Sequence, residues 1–329
     1  MNINKKKIIF FIRIIIFTLI LFLIFKELNK HTLDLSSYKD RFSLNFFISA
    51  LIFFIITQLF GSYIFFLILG LVKKLKLFYI LKVIFVGQFL DYFPFLGIAY
   101  KAKKLKDDIR FGYKKFVAVY ILLLKIGLFS ISTILSIFYF LPIENTLNID
   151  IKIFYIFFFI FISINIFLLL NKFIFFLFRK KYFSIKIFKK KINFISIITI
   201  FLFLLRKSLS RSYIFMKCYF LDLLANASYF MCFLFVFKCY QINMSTIDIL
   251  LVYILFSIST QFKILPKNYG VDELIGSYLI QLGSGSFALG LAVMITIRII
   301  SLISTLLLFT IFNTDLLKNN KNNDTKKNV

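Results

Sequence analysis

Apolar segments long enough to cross a membrane dominate this chain. Six of them approach or exceed the roughly 20 residues that a helix needs to span the hydrocarbon core. They are 8–25, 45–72, 116–141, 153–178, 213–239 and 286–312. A soluble domain of 329 residues could not cover its surface when 61% of its residues are hydrophobic. The sequence therefore predicts an all-α polytopic membrane protein, with 8–25 retained as the first span because no small-residue cleavage site follows it.

The net charge of +27 comes from short basic clusters that lie between the apolar segments. These clusters form no continuous basic stripe, so we expect no nucleic-acid partner. With the N-terminus placed inside, the cytoplasmic segments hold 28 of the 41 lysines and arginines, and the outer segments hold 8. The positive-inside rule therefore predicts a protein of the inner (plasma) membrane with both termini in the cytoplasm.

Two further apolar stretches, 77–100 and 248–283, are interrupted by polar residues, proline and glycine. The charge-based topology places both ends of the first in the cytoplasm and both ends of the second outside. Each is therefore predicted to be a re-entrant or broken-helix hairpin, and the two enter from opposite faces. Segment 192–205 is too short to cross easily and has basic residues at both ends, so we expect it to lie on or dip into the cytoplasmic face.

The two hairpin regions share an order of residues that indicates an internal repeat. Pro94 matches Pro266 at an offset of 172, and the following matches share an offset of 173: Gly97 with Gly270, Gly112 with Gly285, and Lys125 with Arg298. Opposed hairpins with one internal order are typical of an inverted-topology repeat, here with halves of roughly 45–141 and 213–312. The alternative is that proline and glycine only mark turns in two unrelated helix breaks.

Ionisable residues inside the predicted spans are the best candidates for a binding site. They cost at least about 2.5–3.5 kcal/mol each at the bilayer centre and tend to face a cavity or a partner. The candidates for binding a lipid head group are Lys125, Arg298, Glu273, Asp272, Asp91 and Gln88, with Pro94, Gly97, Pro266 and Gly270 at the hairpin turns. An equally weighted alternative is that Lys125 and Arg298 only form structural ion pairs, for example with Asp222 or Glu273.

Catalytic and metal-binding patterns are missing from the sequence. The single histidine, His31, and the three cysteines show no ligand spacing and no pairing of a nucleophile with a base. We therefore expect no metal, no cofactor and no enzymatic activity.

The second hairpin region resembles the lysylphosphatidylglycerol synthase transmembrane, or flippase-like, family. Its residues Pro266, Gly270, Val271, Glu273, Gly283 or Gly285, and Arg298 follow the order of that family's motif. The resemblance covers nearly the whole chain and implies a single flippase-like transmembrane domain, residues 1–317, followed by a polar cytoplasmic tail, 318–329. Because this tail is short, we expect no appended synthetase domain and no aminoacyl transfer.

The resemblance implies translocation of a membrane lipid, either an anionic or modified lipid or a lipid-linked glycan. Two alternatives remain open. One is an integral-membrane glycosyltransferase with a carboxylate in the loop 26–44, which contains Glu27, Asp34 and Asp40. The other is a non-catalytic accessory protein that binds an enzyme of envelope glycolipid or polysaccharide synthesis.

Overall fold

The computed structural model describes residues 42–92, 96–140, 184–187, 190–193, 200, 212–260 and 270–313. Eight helices lie in these ranges. They are α1 (Leu44–Gly70), α2 (Leu77–Leu90), α3 (Leu96–Ile109), α4 (Tyr113–Phe140), α5 (Ser212–Cys239), α6 (Thr246–Ser259), α7 (Val271–Ser284) and α8 (Phe287–Phe312). The helical architecture is confirmed. The predicted spans 8–25 and 153–178 lie outside the described residues.

Three of the helices are long and apolar enough to cross a membrane, namely Leu44–Gly70, Tyr213–Cys239 and Phe287–Phe312. They correspond to the predicted spans 45–72, 213–239 and 286–312. Helix α4 has 28 residues and matches the predicted span 116–141 in position.

Each interrupted stretch contains two short helices, a pair that we call a broken helix. The first consists of α2 and α3, and its second arm extends to Ile109, beyond the predicted end at residue 100. The second consists of α6 and α7, and the residues between these helices lie largely outside the described ranges. The proline at each predicted turn, Pro94 and Pro266, is also outside them.

A small antiparallel ribbon departs from the all-α prediction. Strand β1 (Ser184–Ile187) pairs with β2 (Lys190–Asn193), and Ile185 lies opposite Ile192. The predicted interfacial segment 192–205 therefore begins within a strand. β-branched isoleucines on both strands favour this pairing over a helix.

The eight helices form two quartets with the same order of lengths. Helices α1 to α4 have 27, 14, 14 and 28 residues, and α5 to α8 have 28, 14, 14 and 26. The contacts between helices also correspond: where two helices pack together, their counterparts in the other quartet pack together as well. Thus α1 packs on α8 as α5 packs on α4, and α2 packs on α8 as α6 packs on α4. In each quartet a residue with positive φ, Arg110 or Gly285, directly follows the second short helix.

The first helices of the two quartets, α1 and α5, run antiparallel along their whole length. At one end the backbone N–H of Ser43 donates to the carbonyl of Cys239 at 3.1 Å. In the middle Thr57 Oγ1 lies 3.4 Å from the carbonyl of Ala225. At the other end Lys217 Nζ donates to the hydroxyl of Tyr63 at 3.2 Å. Equivalent helices therefore point in opposite directions.

The two broken helices start at opposite ends of this antiparallel pair, because α2 follows the end of α1 and α6 follows the end of α5. Helix α2 then runs antiparallel to α8. Near its start the ring of Phe78 contacts that of Phe312, with centroids 5.5 Å apart. At its far end the hydroxyl of Tyr92 lies 3.2 Å from Ser301 Oγ. Ser301 is close to the middle of α8, so this broken helix turns about halfway across the bundle.

The contact between the ends of α1 and α5 predicts a specific cross-link. We expect a Ser43→Cys variant to form a disulfide with the native Cys239 under mild oxidation, because their backbone atoms already lie within hydrogen-bond distance. Thiol labelling and mass spectrometry of the linked peptides would detect it. A Ser43→Cys/Cys239→Ser variant should show no such link, and unchanged labelling of Ser43→Cys after oxidation would contradict the antiparallel arrangement.

Candidate functional site

Arg298 lies near the middle of α8 and forms ion pairs with two carboxylates at the start of α7. Its Nε lies 2.6 Å from Glu273 Oε1, and its Nη2 lies 3.5 Å from Asp272 Oδ2. The three side chains are 23%, 13% and 14% exposed, so the cluster is largely shielded from its surroundings. The predicted pairing of Arg298 with Glu273 is confirmed.

Gly270 explains why the two carboxylates lie where they do. Its φ of 79° is in the region that favours glycine, and it is the residue that directly precedes α7. The backbone N–H of Gly270 donates to Glu273 Oε2 at 2.8 Å, so Glu273 caps the helix with one oxygen and binds Arg298 with the other. Asp272 and Glu273 also lie at the end of the helix where its dipole favours negative charge.

Two glycines allow α7 and α8 to pack closely beside this cluster. A side chain at Gly290 would lie 2.6 Å from the backbone oxygen of Ser277, and one at Gly276 would collide with Met294. The close approach of the two backbones lets the Arg298 side chain reach the first turn of α7.

A cavity of about 60 Å³ opens beside Arg298 where α1, α5, α6, α7 and α8 meet. Its lining combines the charged cluster with aromatic and aliphatic side chains, and comprises Phe54, Tyr229, Phe256, Asp272, Glu273, Met294, Ile297, Arg298 and Ser301. This volume holds a few water molecules, which the charged groups can hydrogen-bond. A lipid head group would fit only after the surrounding helices separate.

The first broken helix contains a second ion pair, between Asp91 and Lys101. Lys101 Nζ lies 2.8 Å from Asp91 Oδ2, and the lysine is only 6% exposed. Its aliphatic stem packs directly over Gly87, and Gly97 packs against Asp91, so two glycines make room for the pair. Lys101 is therefore a buried partner of Asp91 rather than an exposed basic residue.

The other predicted residues of the first half occupy separate places. Gln88 lies in α2, and its side-chain oxygen is buried without a hydrogen-bond partner among the described residues. Gly97 is the second residue of α3 rather than part of the turn before it. The positive-φ residue that corresponds to Gly285 is Arg110, so the predicted match of Gly285 with Gly112 is shifted by two positions.

Lys125 is 7% exposed and lies near the middle of α4, much as Arg298 lies near the middle of α8. It is not among the residues that line the Arg298 cavity. Among the described residues no salt bridge joins Lys125 to Asp222, whose carboxylate accepts hydrogen bonds from Ser130 and Asn226.

The two halves contact each other next to the Arg298 cavity. Ser301, which is bound by Tyr92, lines this cavity and lies one helical turn beyond Arg298. Tyr92 directly follows Asp91, so the tip of the first broken helix reaches the edge of the cavity. The structure thus brings the Asp91 region near Arg298, Glu273 and Asp272.

A matched pair of hydrogen bonds, which the sequence analysis missed, also links the halves. Gln58, the fifteenth residue of α1, donates to Ser304, the eighteenth of α8, at 3.0 Å. Asn226, the fifteenth residue of α5, donates to Ser130, the eighteenth of α4, at 3.1 Å. The sequence does contain an amide side chain at the same position of both spans, Gln58 and Asn226. The two positions can be recognised as equivalent only when the helix boundaries are known.

Comparison with known proteins agrees with this architecture. The family model described as the lysylphosphatidylglycerol synthase TM region matches residues 10–308. No curated protein and no solved structure matched the chain. Because the match covers most of the sequence, this chain belongs to the lysylphosphatidylglycerol synthase transmembrane-region family.

Proposed function

We propose that this chain is a membrane lipid translocase of the flippase type, which moves an anionic or modified lipid, or a lipid-linked glycan, across the inner membrane. The observation that carries the proposal is the Arg298 cluster, an arginine shared by two carboxylates in a cavity where five helices meet. An arginine fork suits a phosphate as well as it suits a carboxylate. A phosphate head group can therefore replace Glu273 or Asp272 as the partner of Arg298.

The arrangement of the helices supports the proposal. Two quartets of equal order, with antiparallel first helices, fit an inverted-topology repeat with halves of roughly 45–141 and 213–312. Proteins of this kind expose a central site to each side in turn by moving one half against the other. Broken helices at the site allow that movement, because their ends are not joined by continuous helical hydrogen bonds.

The orientation belongs to the same proposal. The basic residues near the end of α3 and before α4 face the cytoplasm, and the start of α6 faces outward. A lipid head group would enter between the halves, where Arg298 and Lys125 neutralise it and Glu273, Asp272 or Asp91 bind a cationic part. Transfer then requires no covalent chemistry and no cofactor.

Translocation in proteoliposomes tests the proposal. Purified protein is reconstituted with a trace of fluorescently labelled phosphatidylglycerol, and a membrane-impermeant reductant bleaches the label in the outer leaflet. We expect the native protein to expose label from the inner leaflet, and we expect Arg298→Gln to slow this about tenfold or more, since it removes the arginine fork. Lys125→Met should also slow it.

Lys217→Gln serves as the matched control, because Lys217 is a cation on a long helix that does not line the Arg298 cavity. Labelled phosphatidylcholine tests preference for an anionic head group. Equal rates for the native protein, Arg298→Gln and protein-free vesicles would refute the translocase proposal for phosphatidylglycerol. If the native protein transports the lipid and Arg298→Gln transports it at the same rate, the assignment of Arg298 to the binding site is refuted.

A further inference from the structure

Asp222 is a carboxylate of the bundle that the Arg298 site does not use. It lies in α5 one helical turn before Ala225, the residue at which α5 crosses the middle of α1. Its Oδ2 accepts a hydrogen bond from the hydroxyl of Ser130 and a second one, of 3.1 Å, from the amide of Asn226. Ser130 is fully buried, so this contact lies inside the bundle.

The partners of Asp222 are neutral, whereas the carboxylates at the two described helix breaks are paired with cations. Asp91 is paired with Lys101, and both Asp272 and Glu273 are paired with Arg298. No lysine or arginine among the described residues forms a salt bridge with Asp222. A charged carboxylate inside a membrane without a cation is costly, and binding a proton removes that cost.

Several other ionisable groups lie on α5 and on the helices that pack against it. On α5 these groups are Cys218 and Lys217, and Lys217 bonds Tyr63 of α1. On the neighbouring helices they are Lys125 of α4 and Tyr253 of α6. Helix α8 contributes Arg298, which bonds Glu273 and Asp272. Within the part of the chain that the structure describes, no salt bridge joins Lys125 to Asp222, and Arg298 is bound to its two acids.

Asp222 is connected to the Arg298 cavity by a short chain of contacts. Asn226, which bonds Asp222, accepts a hydrogen bond from the hydroxyl of Tyr253 at 2.9 Å through its side-chain oxygen. The Tyr253 ring packs edge-on against Tyr229, with centroids 5.7 Å apart, and Tyr229 lines the cavity. Tyr253 belongs to α6, so a change at Asp222 reaches the second broken helix directly.

The counterpart of Asp222 in the first quartet is apolar. Asp222 is the eleventh residue of α5, and the eleventh residue of α1 is Phe54, which lines the Arg298 cavity. The two halves therefore differ at this position by one ionisable group. A proton that binds there changes the charge of one half and leaves the other unaltered.

We propose that Asp222 is the proton-binding group that couples transport by this protein to the pH gradient across the membrane, an inference that rests on the proposed translocase function. A proton from water on one side forms an O–H bond with the carboxylate, and the Asn226–Tyr253 contact changes. That O–H bond breaks when the proton is released to water on the other side. No oxidant or reductant takes part.

Infrared spectroscopy of the reconstituted protein tests proton binding without any transported lipid. The native protein should show the carbonyl band of a protonated carboxylic acid, which disappears as the pH is raised, and Asp222→Asn should lack this band. Asp248→Asn is the matched control, because Asp248 is a buried carboxylate that, like Asp222, is bonded by a serine hydroxyl, here Ser245 Oγ at 2.6 Å. Persistence of the band in Asp222→Asn would overturn the proposal.

Ser130→Ala provides a second variant in case Asp222→Asn does not fold. It removes a donor that favours the charged carboxylate, so the midpoint of the band's titration should move up by about 1 pH unit. An unmoved midpoint would assign the band to another residue and overturn the proposal.

The transport measurement completes the test. With labelled phosphatidylglycerol, an imposed pH gradient should change the native rate several-fold, whereas the rate of Asp222→Asn should be the same with and without the gradient. A native-like response of Asp222→Asn to the gradient would overturn the coupling role. Absence of transport in every protein would instead refute the translocase proposal for phosphatidylglycerol, and the infrared result would still decide whether Asp222 binds a proton.

Discussion

Replacing Glu273 by glutamine is expected to destabilise the protein more than replacing Glu273 and Arg298 together by glutamine. Glutamine keeps the shape of the side chain and can still accept the hydrogen bond from Gly270, so the single variant mainly removes charge. It leaves the longer contact of Arg298 to Asp272, at 3.5 Å, in place. Breaking a buried ion pair from one side costs about 3–5 kcal/mol, and the partial exposure of this cluster reduces the expected loss to about 2 kcal/mol.

The double variant removes the isolated cation as well, so its loss should be smaller than the sum of the two single losses by about 1–2 kcal/mol. Thermal unfolding in detergent, followed by fluorescence-detected size exclusion, measures all four proteins of the cycle. Additive losses would show that Arg298 and Glu273 contribute independently. That outcome would contradict an energetically significant ion pair between Arg298 and Glu273.

Replacing Lys101 by methionine is expected to have the second large effect. Methionine preserves most of the stem that packs over Gly87, but it leaves the carboxylate of Asp91 without its cation. Because Lys101 is almost fully buried, we expect a loss of about 2–4 kcal/mol in the free energy of unfolding. Hydrogen exchange should show the loss as faster exchange of the α2 and α3 amides.

Lys104→Met is the matched control on the same helix. Lys104 pairs with Asp108 at 3.0 Å, but both side chains are well exposed, so its removal should change stability by less than about 0.5 kcal/mol. The Asp91→Asn/Lys101→Met variant should recover part of the lost stability. Equal effects of Lys101→Met and Lys104→Met would contradict the burial of the Asp91–Lys101 pair.

The broken helices and Arg298 could be predicted from the sequence because charge and hydropathy constrain them strongly. Basic residues predict on which side the ends of an apolar stretch lie, and on that basis 77–100 and 248–283 were expected to turn back. An arginine in the middle of an apolar span requires a partner, and Glu273 follows a glycine at the nearest break. These inferences depend on local residue patterns and on the cost of charge in a membrane.

The role of Lys101 could not be predicted in the same way. Its neighbours Lys103 and Lys104 are typical of a cytoplasmic cluster, and its burial depends on the space left by Gly87 across a helix break. The partners of Asp222 were also missed, because serine and asparagine are common in such spans and their contacts join α4 to α5. Contacts between helices that are distant in sequence depend on packing, which a single sequence does not specify.

The matched contacts of the two quartets have a consequence for the resting state of the protein. If the two halves had identical sequences, each could adopt the conformation of the other, and the two resulting arrangements of the protein would have equal free energy. Here the halves differ, with Asp91 and Lys101 in one and Arg298 with its two acids in the other. If the halves exchange conformations, these ionic differences set the ratio of the two populations, and ionic strength and lipid charge should shift that ratio.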